Sequence, residues 1–278
     1  MPDAPPDMRA GIAALFSRSA ETYDEVGVDF FSVFGRQLVE DADVRSGERV
    51  LDIGTGRGAV LFPAAEAVGP AGSVLGVDLA EGMIERTQQV ADSRGLTNVS
   101  LEVMDAQELD LPAGSFDVVL SSLVVFFLPD PASAVERWAR LLARGGRLGL
   151  TTFAGDDDRF AWIDRLFKPF MPPHLSRPQR PDPGSPFAST ENLERMLRAA
   201  GLSEVTSVIR EHDVVFDDPR HWIRWSWSHG QRIVWENVPE DQRERVEQDA
   251  IEHLSVIQEQ DGTVILHQPV RYTIARVS

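Results

Sequence analysis

Apolar positions along the chain follow two different periods. Between residues 8 and 44 they recur every three or four residues, as Met8, Ile12, Leu15 and Phe16, then as Phe30, Phe34, Leu38 and Val39. That spacing predicts helices. A polar stretch with Ser19, Glu21, Thr22, Tyr23, Asp24 and Glu25 separates the two patterns. From residue 49 onward, apolar runs of strand length alternate with helical patterns. Strands are predicted at 49–53, 73–77, 99–103, 116–121 and 146–152, and helices at 59–68, 80–94 and 132–143. Gly-Pro-Ala-Gly (69–72) and Ala-Arg-Gly-Gly (143–146) supply the glycine punctuation that closes two of these helices. Regular alternation of this kind predicts an α/β fold, a parallel sheet with helices on both faces.

The regularity breaks after Phe153. Residues 154–188 hold three consecutive aspartates, an aromatic helix-like piece (Phe160 to Phe170) and a proline-dense segment, a composition that suits a lid or surface insertion. Ser189-Thr190-Glu191 then opens a helix ending at Gly201, followed by a strand at 204–216. Residues 217–260 form a tryptophan-rich helical insertion, and a last strand from Thr263 to Val277 completes the sheet. The expected domains are a helical lid at 1–44, a core at 45–153 continued at 189–216 and 261–278, an insertion at 154–188 and an aromatic cap at 217–260.

Composition removes several function classes. A net charge of −17 repels a phosphate backbone, and no basic cluster offsets it, so neither DNA nor RNA is an expected partner. No apolar run approaches a membrane span, and the acidic, proline-rich N-terminus is unlike a secretory leader, so the expected location is the cytoplasm. Cysteine is absent, which excludes disulfides, thiolate metal sites and a cysteine nucleophile. Lys168 is the only lysine, leaving almost no candidate for a Schiff base or a Tyr-x-x-x-Lys relay. The aspartates at 156–158 are expected to be solvated charge, and no metal is expected.

The most informative run is Val-Leu-Asp-Ile-Gly-Thr-Gly-Arg-Gly at 50–58. A buried strand turns there into a helix while three glycines leave the backbone open to a ligand. Gly54-x-Gly56-x-x-Ala59 also satisfies a dinucleotide pattern. The surrounding acids point elsewhere. Asp52 suits a ligand ammonium better than a pyrophosphate. Asp78, ending the second strand, can accept both hydroxyls of a ribose, and Asp105, after the third, can accept from an adenine amine. Ammonium, ribose and adenine together describe S-adenosylmethionine.

Five motifs in order carry a family resemblance: residues 50–58, Gly-Val-Asp-Leu-Ala-Glu-Gly-Met (76–83), Met-Asp-Ala-Gln-Glu-Leu (104–109), Phe-Asp-Val-Val-Leu-Ser-Ser (116–122) and Leu-Leu-Ala-Arg-Gly-Gly-Arg-Leu (141–148). The chain resembles class I S-adenosylmethionine-dependent methyltransferases of the ubiquinone/menaquinone-biosynthesis type, and bacterial natural-product tailoring methyltransferases. The resemblance covers residues 45–153 well and the remainder loosely. It implies a doubly wound, Rossmann-like sheet of seven strands, mostly parallel with the last antiparallel. It further implies that Gly54 and Gly56 lie against the methionine and ribose parts of the cofactor. Asp78 would hold the ribose, Leu79 and Met83 would flank the adenine, Asp105 and Ala106 would read its edge, and Ser121 would border the sulfonium. The segment Phe-Ser-Arg-Ser-Ala-Glu-Thr-Tyr-Asp (16–24) resembles the piece that folds over the cofactor, with Tyr23 nearest the reaction.

The acceptor is expected to be a small aromatic or heteroaromatic molecule, a phenol, indole or quinone-like ring methylated at carbon, with oxygen or nitrogen as alternatives. Tryptophans offer stacking area with few conformations to lose, so Trp222 and Trp225 are candidate contacts, with Phe126 from the apolar run at 123–128. His229 is the leading base, with Tyr23 and Glu25 as relay partners. The protein is expected to be a monomer or homodimer. Three rivals stand beside this reading. A nicotinamide oxidoreductase is opposed by Asp52 and by the missing Tyr-x-x-x-Lys pair. A cyclase or pericyclase would keep the fold and cofactor without transferring the methyl. A non-enzymatic binding module would leave the intact cofactor set without a purpose.

Overall fold

The computed structural model describes residues 6–171 and 182–277, and the side chains from residue 9 onward. The first five residues, and residues 172–181 of the expected insertion, lie outside the described residues, as does the Met8 side chain. Seven strands form one sheet in the order β3-β2-β1-β4-β5-β7-β6. The first five are β1 (Arg49–Ile53), β2 (Ser73–Asp78), β3 (Val99–Val103), β4 (Phe116–Ser122) and β5 (Leu142–Phe153), and their pairings are all parallel. β6 (Ser203–Phe216) and β7 (Val264–Arg276) follow, and β7 enters between β5 and β6 antiparallel to both. The sheet is therefore the Rossmann-like, mostly parallel one that the sequence implies.

Two apolar layers sandwich it. On one face pack α2 (Phe31–Asp41) and α3 (Leu61–Val68), with Phe34, Leu38 and Leu61 essentially sealed. On the other lie α5 (Pro131–Leu141) and α7 (Thr190–Ala199), built on Trp138, Leu193 and Leu197. Each helix of this second pair begins with a side-chain cap, Asp130 and Ser189, accepting from the backbone N–H three residues on. α4 (Glu81–Ser93) flanks the β2–β3 edge.

Residues 8–44, one lid by sequence, divide in two. α1 (Pro6–Ser19) lies over α4, whereas α2 packs against α3, β4, β5 and β7 as part of the core layer. The reason is side-chain volume, since α2 turns Phe34, Leu38 and Val39 to the sheet. The aromatic cap consists of α8 (Pro219–Ser228), α9 (Arg232–Glu236) and α10 (Glu240–Val256), packed with α6 (Trp162–Phe167). It is inserted between paired strands, because Phe216 and Val264, its two ends, are register partners.

Every parallel strand ends at the same edge. β1 and β4 adjoin there with helices leaving to opposite faces, which is where ligands of open α/β sheets bind.

Candidate active site

The turn after β1 has the form a small-molecule cradle requires. Gly54 and Gly56 have φ of +71° and +50°, a region other residues avoid. Their surroundings differ. A Cβ on Gly54 would lie 2.3 Å from the Val124 side chain, while one on Gly56 would meet nothing within 4 Å. Gly54 is thus glycine for packing as well as backbone, and Gly56 faces open space at the mouth.

Three acids surround that mouth. Asp52 is 1% exposed; Thr55 Oγ1 donates to its Oδ2 at 2.7 Å, the Leu61 N–H at the start of α3 lies near the carboxylate, and Oδ1 is sealed without a well-formed hydrogen bond among the described residues. Burial, with a smaller push from Asp78, raises its carboxyl to about 7. An orphaned, buried acceptor that a cation would satisfy fits the ammonium of an amino-acid ligand. Asp78 accepts from the N–H groups of Gly56 and Ala80, both at 2.9 Å. Burial raises its pKa against those bonds; Oδ2 is bound to the glycine turn and Oδ1 to the start of α4. Asp105 accepts from Gln107 N–H and pairs with Arg9 of α1 at 2.9 Å, so the lid helix reaches the oxygen expected to read adenine.

The lid is fastened across this mouth by four arginines. Arg57, inside the glycine turn, donates to the Ala20 carbonyl and pairs with Glu25 at 2.7 Å. Arg86 of α4 pairs with Glu21, Arg9 with Asp105, and Arg18 with Glu236 of the cap. Glu25 is exposed and committed to Arg57, so in this arrangement it takes no part in a relay with His229. Sequence reading passed over Arg57, although an arginine between two glycines of a ligand turn is itself a signal.

Tyr23, on the lid, packs beside Ala80 and Met83, and its hydroxyl has no hydrogen-bond partner among the described residues. Burial, then Asp24 and Asp78, holds it well above the ordinary tyrosine range, so at neutral pH it is a donor. Met83 is sealed beneath Ala20, Phe16 and Tyr23, and Leu79 is half-buried. The Ala106 carbonyl accepts from Trp138 Nε1 at 2.7 Å. Ser121 is fully buried and donates to the Ile53 carbonyl, so its hydroxyl ties β4 to β1. The chain leaves β4 through Leu123 in a left-handed conformation (φ +57°), held by its N–H to Thr151 Oγ1. A non-glycine residue in that region marks a place where the surroundings over-determine the backbone.

Above this edge, seven aromatic rings from three distant segments close a circuit. Phe16 meets Tyr23, Tyr23 stacks on Phe31 at 4.6 Å, and Phe31 lies edge-on to Phe30. Phe30 reaches Phe153 at the end of β5, and Phe153 reaches Phe126. Phe127 returns the circuit from Phe126 to Phe16 at 5.8 Å. Of these, the sequence singled out only Tyr23 and Phe126 as site residues.

His229 stands beside this circuit, 5.8 Å from Phe31 and 6.4 Å from Phe30 between ring centres. The Trp225 carbonyl lies 2.7 Å from Nδ1 and can only accept, so Nδ1 carries the proton and Nε2 presents a lone pair with no partner among the described residues. Burial lowers its pKa to about 4, leaving it neutral. Trp225 packs on Phe30 and His229, whereas Trp222 is core, 1% exposed between Phe160 and Trp162. His221 is also structural, bonding the Val26 carbonyl through Nε2. No group of three or more potential metal ligands occurs among the described residues, and no helix among them is long and apolar enough to cross a membrane.

A Rossmann-like sheet, a glycine turn and three acids aimed at its mouth define the class of S-adenosylmethionine-dependent methyltransferases. Comparison with known proteins bears this out: residues 44–201 match a family described as "Methyltransferase domain", and the chain belongs to that family. It is 35% identical to nocamycin O-methyltransferase of Saccharothrix syringae, over 95% of this chain and 97% of that protein. It is 43% identical to aklanonic acid methyltransferase DauC of a Streptomyces species, over 70% and 92% respectively. Among solved structures, the YcgJ protein of Bacillus subtilis shares the fold at a TM-score of 0.57 and 20% identity, covering 87% of this chain and 96% of that one. The protein is an S-adenosylmethionine-dependent methyltransferase, which removes the oxidoreductase and binding-module rivals.

Proposed function

We propose that this enzyme methylates an acidic oxygen of a small planar acceptor in natural-product tailoring. The cofactor, when bound, supplies an already activated methyl group, so the protein contributes alignment, exclusion of water and management of one proton. In this reading Asp52 receives the ammonium, Asp78 the ribose hydroxyls and Asp105 the adenine edge, with Leu79, Met83 and Ala106 lining the base. Tyr23 closes the mouth from the lid. The acceptor lies against the aromatic circuit, with Phe126 and Trp225 near it, and its reacting oxygen faces His229 Nε2.

The observation that carries this reading is the state of His229: neutral, its proton fixed on Nδ1, and its pKa near 4. Taking a proton from a phenol near pKa 10 is uphill by roughly 8 kcal/mol for such a base, at about 1.4 kcal/mol per unit. Taking one from a carboxylic or vinylogous acid costs only about 1 kcal/mol on the same scale. A weak, desolvated imidazole therefore suits an acceptor that is itself acidic. The named activity of the relative matched over 95% of the chain, an O-methyltransferase, favours oxygen over the carbon expected from sequence.

The test is an acceptor screen with methyl-labelled cofactor, spanning planar enols and carboxylic acids, simple phenols and indoles, with the label located by mass spectrometry. Label on oxygen of the acidic acceptors is expected. Label on ring carbon of indoles or phenols, with acidic acceptors untouched, refutes the proposal.

A further inference from the structure

A groove lies between the cap and the turn of the lid, and none of the seven circuit rings lines it. Its cavity is about 560 Å³, with Thr22 and Val26 of the lid on one side and Ile223, Arg224 and Trp227 of α8 on the other. That volume suits a small molecule of a few rings. Helical spacing explains the arrangement. Positions 220, 223, 224 and 227 recur every three or four residues and share one side of α8, while Trp222 and Trp225 are sealed on the opposite side. Trp227, half-buried and stacked on Trp235 at 5.7 Å, gives the groove a flat wall.

Three guanidinium groups, those of Arg220, Arg224 and Arg232, line this cavity against a single acid, Glu247. In a chain of net charge −17 that is a local reversal of sign. Arg220 and Glu247 approach only to 3.5 Å and both side chains are exposed, a surface pair worth about 0–1 kcal/mol that an incoming anion can replace. Arg232 is held through Nε by Glu236 at 2.8 Å and through Nη1 by the Arg18 carbonyl at 3.4 Å. Arg224 has no hydrogen bond, ion pair or ring contact among the described residues. An unpaired arginine on a surface signals nothing alone. Here it converges with two further guanidinium groups, a concave wall and an indole.

The lid gives the groove a consequence. Thr22 and Val26 bracket Tyr23, Asp24 and Glu25, and Glu25 pairs with Arg57 of the glycine turn. The Val26 carbonyl accepts from His221 Nε2 of α8 at 2.7 Å. An occupant touching both walls therefore adds to the ties between the lid turn and the cap.

We propose that this groove binds a planar aromatic carboxylic acid, its carboxylate on Arg224 and Arg220 and its rings against Trp227, and that occupancy braces the lid over the cofactor mouth. The site is separate from the acceptor position beside His229. The brace rests on the cofactor reading above, whereas the binding itself does not.

The probes are 2-naphthoate and its uncharged counterpart 2-naphthalenemethanol, titrated calorimetrically into the full chain without cofactor. The wild type is expected to prefer the acid by about tenfold or more, the range for a charged hydrogen bond, and the preference is expected to shrink with added salt. Inorganic phosphate is expected to bind more weakly than naphthoate. Arg224→Gln, at an exposed position with no partner to lose, is expected to remove most of the preference. S-adenosylhomocysteine is expected to bind about fivefold more tightly in saturating naphthoate, and this gain is expected to vanish in Arg224→Gln. Equal binding of acid and alcohol by the wild type overturns the site, as does phosphate binding as tightly as naphthoate. A preference undiminished in Arg224→Gln places the acid elsewhere and overturns it too. A wild type that sediments as a dimer, with Arg224→Glu a monomer, assigns the groove to a second copy and overturns it equally. Affinity for S-adenosylhomocysteine indifferent to naphthoate overturns the brace; its failure to bind at all strikes at the cofactor reading, and the acid preference still decides the groove.

Discussion

Asp52→Asn separates what the buried acid does for the fold from what it does for the ligand. Burial lifts the Asp52 carboxyl from 3.8 to about 7. An acid whose folded pKa is raised keeps its proton longer in the folded protein than in the unfolded chain. Stability is therefore greatest below the unfolded value, falls as pH climbs between 3.8 and about 7, and is flat above that window. The full loss is roughly 4 kcal/mol at about 1.4 kcal/mol per unit. Asparagine keeps a carbonyl oxygen for the Thr55 hydroxyl and carries no charge, so the variant escapes this loss. In thermal unfolding without ligand at pH 8, Asp52→Asn is expected to melt higher than the wild type by roughly 10 °C, using about 2–4 °C per kcal/mol. At pH 5 the gap is expected to shrink to less than half. Titration with S-adenosylmethionine at pH 7.5 is expected to show the opposite ranking, with the variant binding at least tenfold more weakly for want of a counter-charge. A variant that melts below the wild type at pH 8 refutes the reasoning, because Asp52 would then be a stabilising partner and not a strained acceptor.

Four further outcomes are expected. Asp78→Ala loses about ten- to a hundred-fold in cofactor affinity with circular dichroism unchanged, and full affinity by calorimetry would remove the ribose assignment. Gly54→Ala lowers the melting temperature because its Cβ meets Val124, whereas Gly56→Ala costs little beyond its backbone strain but weakens cofactor binding; comparable losses of stability in both would contradict the two environments. His229→Gln slows turnover by about a hundred-fold with near-normal cofactor binding, and in the wild type the limb of kcat due to His229 lies near pH 4; a fall in kcat centred near pH 6.5 would show an ordinary imidazole. Arg57→Ala frees residues 20–25 and is expected to raise amide exchange there, and protection equal to the wild type would mean that other contacts hold the lid.

The sheet and the cofactor turn were readable because their signals are local. A strand, three glycines and an acid fall within nine residues, and Asp78 and Asp105 stand at or just past the ends of the next two strands. The aromatic circuit proposed to face the acceptor was less legible because it is assembled from residues far apart in the chain. Phe16, Phe31, Phe127 and Phe153 each look like ordinary core residues until the fold brings them into one circuit. Composition alone also misdirected attention within the cap. Trp222 and Trp225 share helical spacing and identity, yet one seals the α6–α8 contact and the other packs on Phe30 and His229. Ser121 shows the same limit, since period-2 reasoning puts it at a strand end and only the neighbouring strand reveals that Ile53 takes its hydroxyl.

The pairing of Phe216 with Val264 puts the entrance and exit of the cap side by side on adjacent strands. Everything between them is a loop in the topological sense, free to lengthen, shrink or be exchanged while the hairpin stays closed beneath it. The three acids and the glycine turn lie elsewhere in the chain, between residues 52 and 105. The cap that carries Trp225 and His229 is thus written in a stretch of sequence separate from the cofactor mouth, and it can be traded as one cassette without rebuilding the glycine turn or the three acids.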